Sequence, residues 1–218
     1  MNSDVKLQLH ALNIRSGQPL LICDADEILF EFMTTFLAFL DTHDLYYDWQ
    51  SIALTGNVRS RNDKFALSPP EVRALLSEFF ERHTGSIPSV PGAAQSLRAL
   101  ESAGVQIVIL SNLPLAQRET RIRALRDNGM DYAFIANKGL KGPTVRALFD
   151  KAQEAPTAFI DDIPNHHDSV SWHAKDVHRL HFSAHERLRA LQRPEVRAHA
   201  YANDWPGLEA EVRARLSL

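Results

Sequence analysis

The sequence has one cysteine, Cys23, among 218 residues, which excludes a disulfide within the chain and suits a reducing compartment. It has no long hydrophobic run. Its most apolar stretches, such as VQIVIL, are strand-sized and fall well short of the roughly 20 residues that a membrane-spanning helix needs. The opening MNSDVKLQLHALNIRSGQ lacks the basic start and unbroken apolar segment of a secretory signal, so the expected location is cytoplasmic. An excess of one charge is missing too: 24 Lys+Arg against 27 Asp+Glu leave −3, which disfavours a generally basic nucleic-acid binder. No Lys/Arg-rich run interleaved with aromatics appears, and neither do internal repeats or low-complexity segments. What is present is ordinary globular material, 44% hydrophobic and 23% charged, enough to bury a core and too balanced for wholesale disorder.

Short apolar runs alternate with longer helical patterns. PLLICD (19–24), VQIVILS (105–111), YAFIA (132–136), PTAFID (156–161) and VHRLHF (177–182) read as strands, most of them bounded by Gly, Pro, Asn or Asp. Near-continuous apolarity suits strands covered on both faces. Between them, GAAQSLRALESAG and PLAQRETRIRALRDNG end on Gly104 and Gly129, and GPTVRALFDKAQ begins with Pro143 in its first turn. This alternation implies an α/β fold with a doubly wound, Rossmann-like parallel sheet. Residues 32–88 break the rhythm. They show no convincing strand, a polar middle, and two helical patterns, FEFMTTFLAFLDTH and SPPEVRALLSEFFERH. The expected organisation is a core of 1–31 and 89–218 with a small helical insertion at 32–88. AHERLRALQRPEVRAHA (184–200) and WPGLEAEVRARL read as amphipathic helices packing on the sheet.

In an open parallel sheet, ligands bind beyond the carboxyl ends of the strands, so the residues just after each apolar run carry the information. The first run ends in Asp24-Ala25-Asp26, the second in Ser111-Asn112 and the fourth in Asp161-Asp162, with Lys141 shortly before that fourth run. Taken singly, each is ordinary turn or capping chemistry or a solvated lysine. All four occur in order on the same side of one sheet. Carboxylates gathered this closely repel one another unless a cation sits among them. A hard divalent ion with oxygen ligands resolves this, and magnesium is the usual choice where phosphate is involved.

The segments LLICDADEIL, VILSN, LKGPTV and AFIDDIPNHH together resemble the four motifs of the haloacid dehalogenase superfamily, and the likeness extends over nearly the whole chain. The resemblance implies a phosphatase-like hydrolase acting on a small-molecule phosphate ester, with 32–88 as its cap. Asp24 would be the nucleophile and Asp26 the general acid and then base; the second aspartate favours phosphate over halide chemistry. Asp24, the backbone carbonyl of Asp26, and Asp162 would hold Mg2+, with Asp161 just outside the metal's ligands. Ser111, Asn112 and Lys141 would bind the phosphoryl oxygens. Lys138 competes with Lys141 for that role; Lys141 is preferred because it immediately precedes the Gly-Pro helix start. Glu27 and Ile28 depart from the Gly and Thr common after the second aspartate. A phosphotransferase, or a non-catalytic metal- or phosphate-binding scaffold, are the alternatives on the same fold.

Other features are weaker. Six histidines lie between His166 and His185, without the cysteines or helical i,i+4 pairing that would mark a metal site, though His166 or His167 can reach a substrate or a carboxylate. Tyr46, Tyr47 and Trp49 suit either a substrate pocket or the insertion's own core. Arg59 and Arg61 are its candidate cations for a second substrate anion. Cys23 reads as a buried small residue. Nothing in the sequence signals a membrane partner, a nucleic-acid partner or an oligomeric state.

Overall fold

The computed structural model describes residues 2–191 and 197–218. Helix α1 (Ser3–Ala11) leads to strand β1 (Leu20–Cys23), and then come α2 (Phe32–Asp41), β2 (Leu45–Tyr47), β3 (Val58–Ser60) and α3 (Pro69–His83). The chain continues through α4 (Ala93–Ser102), β4 (Gln106–Asn112), a short 3-10 turn at Leu115–Gln117, α5 (Arg118–Asp127), β5 (Ala133–Asn137), α6 (Gly142–Lys151) and β6 (Thr157–Asp161). It ends with α7 (Pro164–His173), β7 (His178–His181), α8 (Glu186–Leu191), β8 (Ala200–Tyr201) and α9 (Trp205–Leu216). Of the amphipathic segment expected over 184–200, residues 192–196 lie outside the described residues. No helix of the described residues is long and apolar enough to cross a membrane.

Six strands form one sheet in the order β5-β4-β1-β6-β7-β8, every neighbouring pair parallel. This is the doubly wound α/β core that the strand–helix alternation implies. β1 lies at the centre: the chain builds outward through β4 and β5, then returns to β6 on the other side. The carboxyl ends of β1, β4 and β6 therefore surround a topological switch point, where such sheets open a crevice. Alternate residues of β1 enter opposite layers. Leu21 and Cys23 pack with Leu97, Leu100 and Trp205, and Leu20 and Ile22 with Val145, Leu148 and Val170. Both faces are covered, which is why the strands read as continuous apolar runs.

α1 is a helix that the sequence reading leaves out, because only Val5 and Leu9 reach the core and the apolar stripe is too thin to stand out. Its Gln8 side chain accepts from Ala136 N at 2.8 Å and donates to Ala136 O at 3.1 Å, covering the open edge of β5.

The insertion at 32–88 differs from expectation in holding a hairpin. β2 and β3 pair antiparallel, with Leu45 opposite Ser60 and Tyr47 opposite Val58. Strands of three residues are too short to leave an alternating signature. Asn57 organises the turn between them, accepting from Gln50 N at 2.8 Å and donating to Ala53 O at 2.7 Å. Phe36 and Phe39 of α2 meet Phe79 of α3 edge-on, at 5.2 and 5.4 Å between ring centroids, and extend the apolar layer that covers Leu21 and Cys23 into the insertion. Its two crossings to the sheet run side by side, with Glu31 N donating to Pro88 O at 2.9 Å and Val90 N to Leu29 O at 2.8 Å.

Two contacts set the positions of Lys141 and Asp161. α6 begins against α7 so closely that a Cβ on Gly142 would lie 2.4 Å from the Ser169 carbonyl oxygen and hydroxyl. The Gly142 N–H donates to that hydroxyl at 3.2 Å. On α7, buried His167 places Nε2 2.9 Å from the Asp161 carbonyl, and burial pulls its pKa down from the ordinary 6.5 to about 4, with Asp161 opposing.

Gly142→Ala is expected to destabilise the protein by about 3 kcal/mol, since backbone must move to admit the methyl group. Urea unfolding with an unchanged midpoint would show that the two helices are not packed this tightly. His167 carries a pH signature. Between pH 6.5 and 4 the unfolded chain binds a proton there and the folded chain does not, so stability is lost as pH falls. The stability advantage of wild type over His167→Gln is expected to shrink by about 3 kcal/mol from pH 7 to pH 4. A gap that stays constant with pH would rule out a neutral, buried His167.

Candidate active site

β1 delivers Asp24 to the crevice: its N–H donates to Ile160 O at 3.0 Å, extending the ladder by one residue, and the carboxylate is buried. The chain then turns sharply, with Glu27 N donating to Phe30 O and Phe30 N to Ala25 O. Glu27 takes φ 64, the left-handed conformation that glycine adopts most readily. A glutamate here is strained unless its side chain is held, and it is held. One carboxylate oxygen accepts from Met33 N at 2.5 Å, and the other accepts from His185 N at 2.9 Å and the Ser183 hydroxyl at 3.4 Å. Burial raises its pKa. The departure from glycine thus ties the turn to α2 on one side and to the segment after β7 on the other.

Lys141, at the start of α6, is 1% exposed and lies 2.7 Å from Asp24 Oδ1 and 2.6 Å from Asp161 Oδ2. Burial opposes its charge, but Asp161 and then Asp24 outweigh that and raise its pKa above the ordinary lysine value. Asp161 uses its other oxygen to accept from Ile163 N at 2.8 Å. Burial also works against Asp161, yet Lys141 beside it and the nearby His166 and His167 hold its carboxyl below the usual range. Asp24 goes the other way. Burial lifts it to about 7 with Lys141 opposing, while Asp161 and Asp26 push further up. Asp162 is raised well above the ordinary value by burial and then by Asp161, Asp24 and Glu27.

One carboxylate oxygen each from Asp24, Asp161 and Asp162 lies within 4.8 Å of the others. The donor set fits a hard cation: three buried carboxylates face a single ammonium, and no donor among the described residues reaches the Asp162 carboxylate. Because Asp161 is spoken for by Lys141 and Ile163 N, Asp24 and Asp162 are the carboxylates with oxygens to spare.

The same cleft, about 250 Å³, is lined by Asp24, Asp26, Ser111, Asn112, Lys141 and Asp162. Ser111, at the end of β4, has a buried hydroxyl with no hydrogen-bond partner among the described residues. Asn112 lines the cleft, but its amide group is engaged at the β5 side, donating to Gly139 O at 3.0 Å and accepting from Asn137 at 2.7 Å. Lys138 is exposed, borders a separate groove beside α1, and does not line the cleft of Asp24. His166 does line it, and burial lowers its pKa to about 4, keeping the ring neutral at pH 7. Cys23 is buried in the layer below, its thiol pKa raised by burial.

The insertion's singled-out residues lie elsewhere. Tyr47 is buried and donates to Ser51 O at 2.7 Å, Tyr46 lies beneath Arg61 and Lys64, and Trp49 stacks on His185 with Arg187 4.0 Å from its ring centre. Arg59 pairs with Asp48 at 2.8 Å and Arg61 with Asp41.

Arg121 is the residue that the sequence reading missed. Wholly buried on α5, it donates from Nη2 to Asp26 Oδ1 at 2.7 Å and stacks 4.6 Å over Phe30. Its signal was faint but present: it shares the buried stripe of α5 with Ala124 and Leu125, three and four positions on, where an arginine needs a partner.

No protein-family model matches the sequence, and no curated protein matches it. Solved structures do. A HAD family hydrolase from Deinococcus radiodurans R1, with bound phosphate and sodium, shares 17% identity over 92% of this chain and 97% of its own at TM-score 0.61. A haloacid dehalogenase-like family hydrolase from Streptococcus pneumoniae shares 12% over 88% and 97% at 0.59. CbbY from Rhodobacter sphaeroides, in complex with phosphate, shares 16% over 92% and 100% at 0.57. At such identities the likeness is one of architecture, and it spans both the sheet and the insertion. The chain thus shares the overall fold of these HAD family and haloacid dehalogenase-like hydrolases.

Proposed function

We propose that the protein is a magnesium-dependent phosphohydrolase that cleaves a small phosphate monoester through an aspartyl-phosphate on Asp24. The observation that carries this reading is the coincidence, in one cleft, of a lysine-paired aspartate, a second aspartate two residues on, an unpartnered buried serine hydroxyl and a carboxylate that lacks a counter-charge. Phosphate in the Deinococcus and Rhodobacter structures of the same fold lends support. Residues 32–88 act as the cap, and 1–31 with 89–218 as the core.

Asp24, the Asp26 carbonyl and Asp162 would hold the metal, which when bound supplies positive charge to offset the repulsion between a carboxylate and an anionic phosphoryl group. An Asp24 oxygen attacks phosphorus, forming one P–O bond while the bond to the ester oxygen breaks. Asp26 gives its proton to that departing oxygen. In the second half Asp26 takes a proton from water, whose oxygen displaces Asp24 from phosphorus and regenerates the carboxylate. Ser111 donates to a phosphoryl oxygen, which gives its hydroxyl the partner it lacks among the described residues. Lys141 orients Asp24 and balances the phosphoryl charge. Arg121 holds one oxygen of Asp26, leaving the other to carry the proton.

Release of inorganic phosphate from a panel of esters tests this. Turnover is expected to require added magnesium, to disappear with chelator, and to fall at least about 10³-fold in Asp24→Asn. Turnover that survives in that variant would sink the mechanism. Arg121→Met is expected to lower kcat about tenfold or more with KM little changed and the pH profile altered, as loss of an orienting contact should. A KM effect alone would make Arg121 merely structural.

A further inference from the structure

The cleft has two ends of opposite chemistry. Its floor, at the strand ends, carries every polar and charged lining residue: Asp24, Asp26 and Glu27 after β1, Ser111 and Asn112 on β4, Lys141 before α6, and Asp162 with His166 after β6. Its roof is carbon. The insertion contributes Phe32, Met33, Ile52, Leu54, Leu76 and Phe80, and among the described residues no polar or charged side chain of the insertion lines the cleft. Leu188 of α8 closes the apolar side.

Charge is as one-sided as polarity. Among the described residues, Lys141 is the single cation lining the cleft, and it is already engaged by Asp24 and Asp161. The basic residues of the hairpin are committed elsewhere, Arg59 to Asp48, Arg61 to Asp41, and Lys64 to the Arg61 carbonyl at 2.7 Å. A leaving group with a carboxylate or second phosphate would enter beside the carboxylates of the cleft. No uncommitted side-chain cation among the described residues of the cleft lining would meet it, since Arg121 is already bound to Asp26. A polyol would press hydroxyls against Phe, Leu and Ile side chains, losing water without regaining hydrogen bonds.

We infer that the leaving group is apolar and carries no second charge: the substrate class is a phosphate monoester of a small aryl or branched-alkyl alcohol. This rests on the phosphohydrolase reading for its chemistry, with the ester oxygen near Asp26 and the carbon skeleton under the insertion. The cleft of about 250 Å³ is at the small end for ligand pockets, which suits an alcohol of one ring or a short branched chain.

The full-length protein with magnesium is assayed on phenyl phosphate and cyclohexyl phosphate against glucose 6-phosphate and 2-phosphoglycolate. The apolar esters are expected to show kcat/KM higher by about 100-fold or more. Sugar phosphate or phosphoglycolate turned over equally well would overturn the inference and leave the phosphohydrolase reading standing. Leu76→Lys, on the partly exposed roof, is expected to cut kcat/KM for phenyl phosphate about tenfold while inhibition by inorganic phosphate changes less than about threefold. An unchanged preference in that variant would also count against an apolar roof as the selector. If none of the four esters is hydrolysed, the phosphohydrolase reading fails, and binding measured by calorimetry decides the ligand class. Phenylphosphonate binding about tenfold tighter than phosphonoacetate supports the apolar site; equal or weaker binding refutes it.

Discussion

A buried ammonium between two buried carboxylates is costly to assemble, and most of the architecture around the cleft follows from holding Lys141 between Asp24 and Asp161. Desolvated charges are tolerated only when each is paired in good geometry, so three chain segments must arrive together. β1 and β6 bring the two aspartates as neighbours in register, and α6 brings the lysine from above. The glycine after Lys141 lets α6 close down on α7, and the Ile163 N–H completes the coordination of Asp161. With its one ammonium shared, the cluster still holds more negative charge than it can neutralise, and Asp162 bears the excess. That surplus is the physical argument for a cation.

The turn after β1 is the second point of convergence. Glu27 occupies a backbone conformation that usually calls for glycine, and its carboxylate binds the start of α2 and the segment that leads into α8. Trp49, stacked on His185 and beneath Arg187, makes a second bridge between the insertion and that same segment. The turn after β1, the insertion and α8 are therefore coupled mechanically around Glu27. A glycine could supply the turn, but not the links.

The polarity of the cleft divides along the same boundary. The sheet presents acids, a hydroxyl and a lysine at fixed spacings, because strand ends are held by hydrogen-bonded ladders that leave side chains little freedom. The insertion presents only apolar side chains to the cleft, and these come from two helices and the loop between the hairpin strands. Under the proposed function, the reaction chemistry sits on the rigid sheet and discrimination on the insertion.

Legible in the chain alone are the parallel sheet, five of its six strands, and the order in which Asp24, Asp26, Ser111, Lys141 and Asp162 follow those strands; β8 (Ala200–Tyr201), two residues long, falls at the end of a segment that reads as helical. Those features are local: continuous apolar runs bounded by turn residues, with polar groups immediately after them. α1 was too weakly amphipathic to read, and β2 and β3 too short. What lies far apart in the chain and meets in space is settled by folding. Arg121 reaches Asp26 across 95 positions, His185 binds Glu27 across 158, and Lys138 turns outward while Lys141 turns in. Tyr46, Tyr47 and Trp49 could have lined the cleft or packed beside it, and folding sent Phe32, Leu54 and Leu76 there instead. Periodicity reports which side of an element is buried. It does not report which neighbour that side meets, because that partner is chosen by the packing of the whole chain.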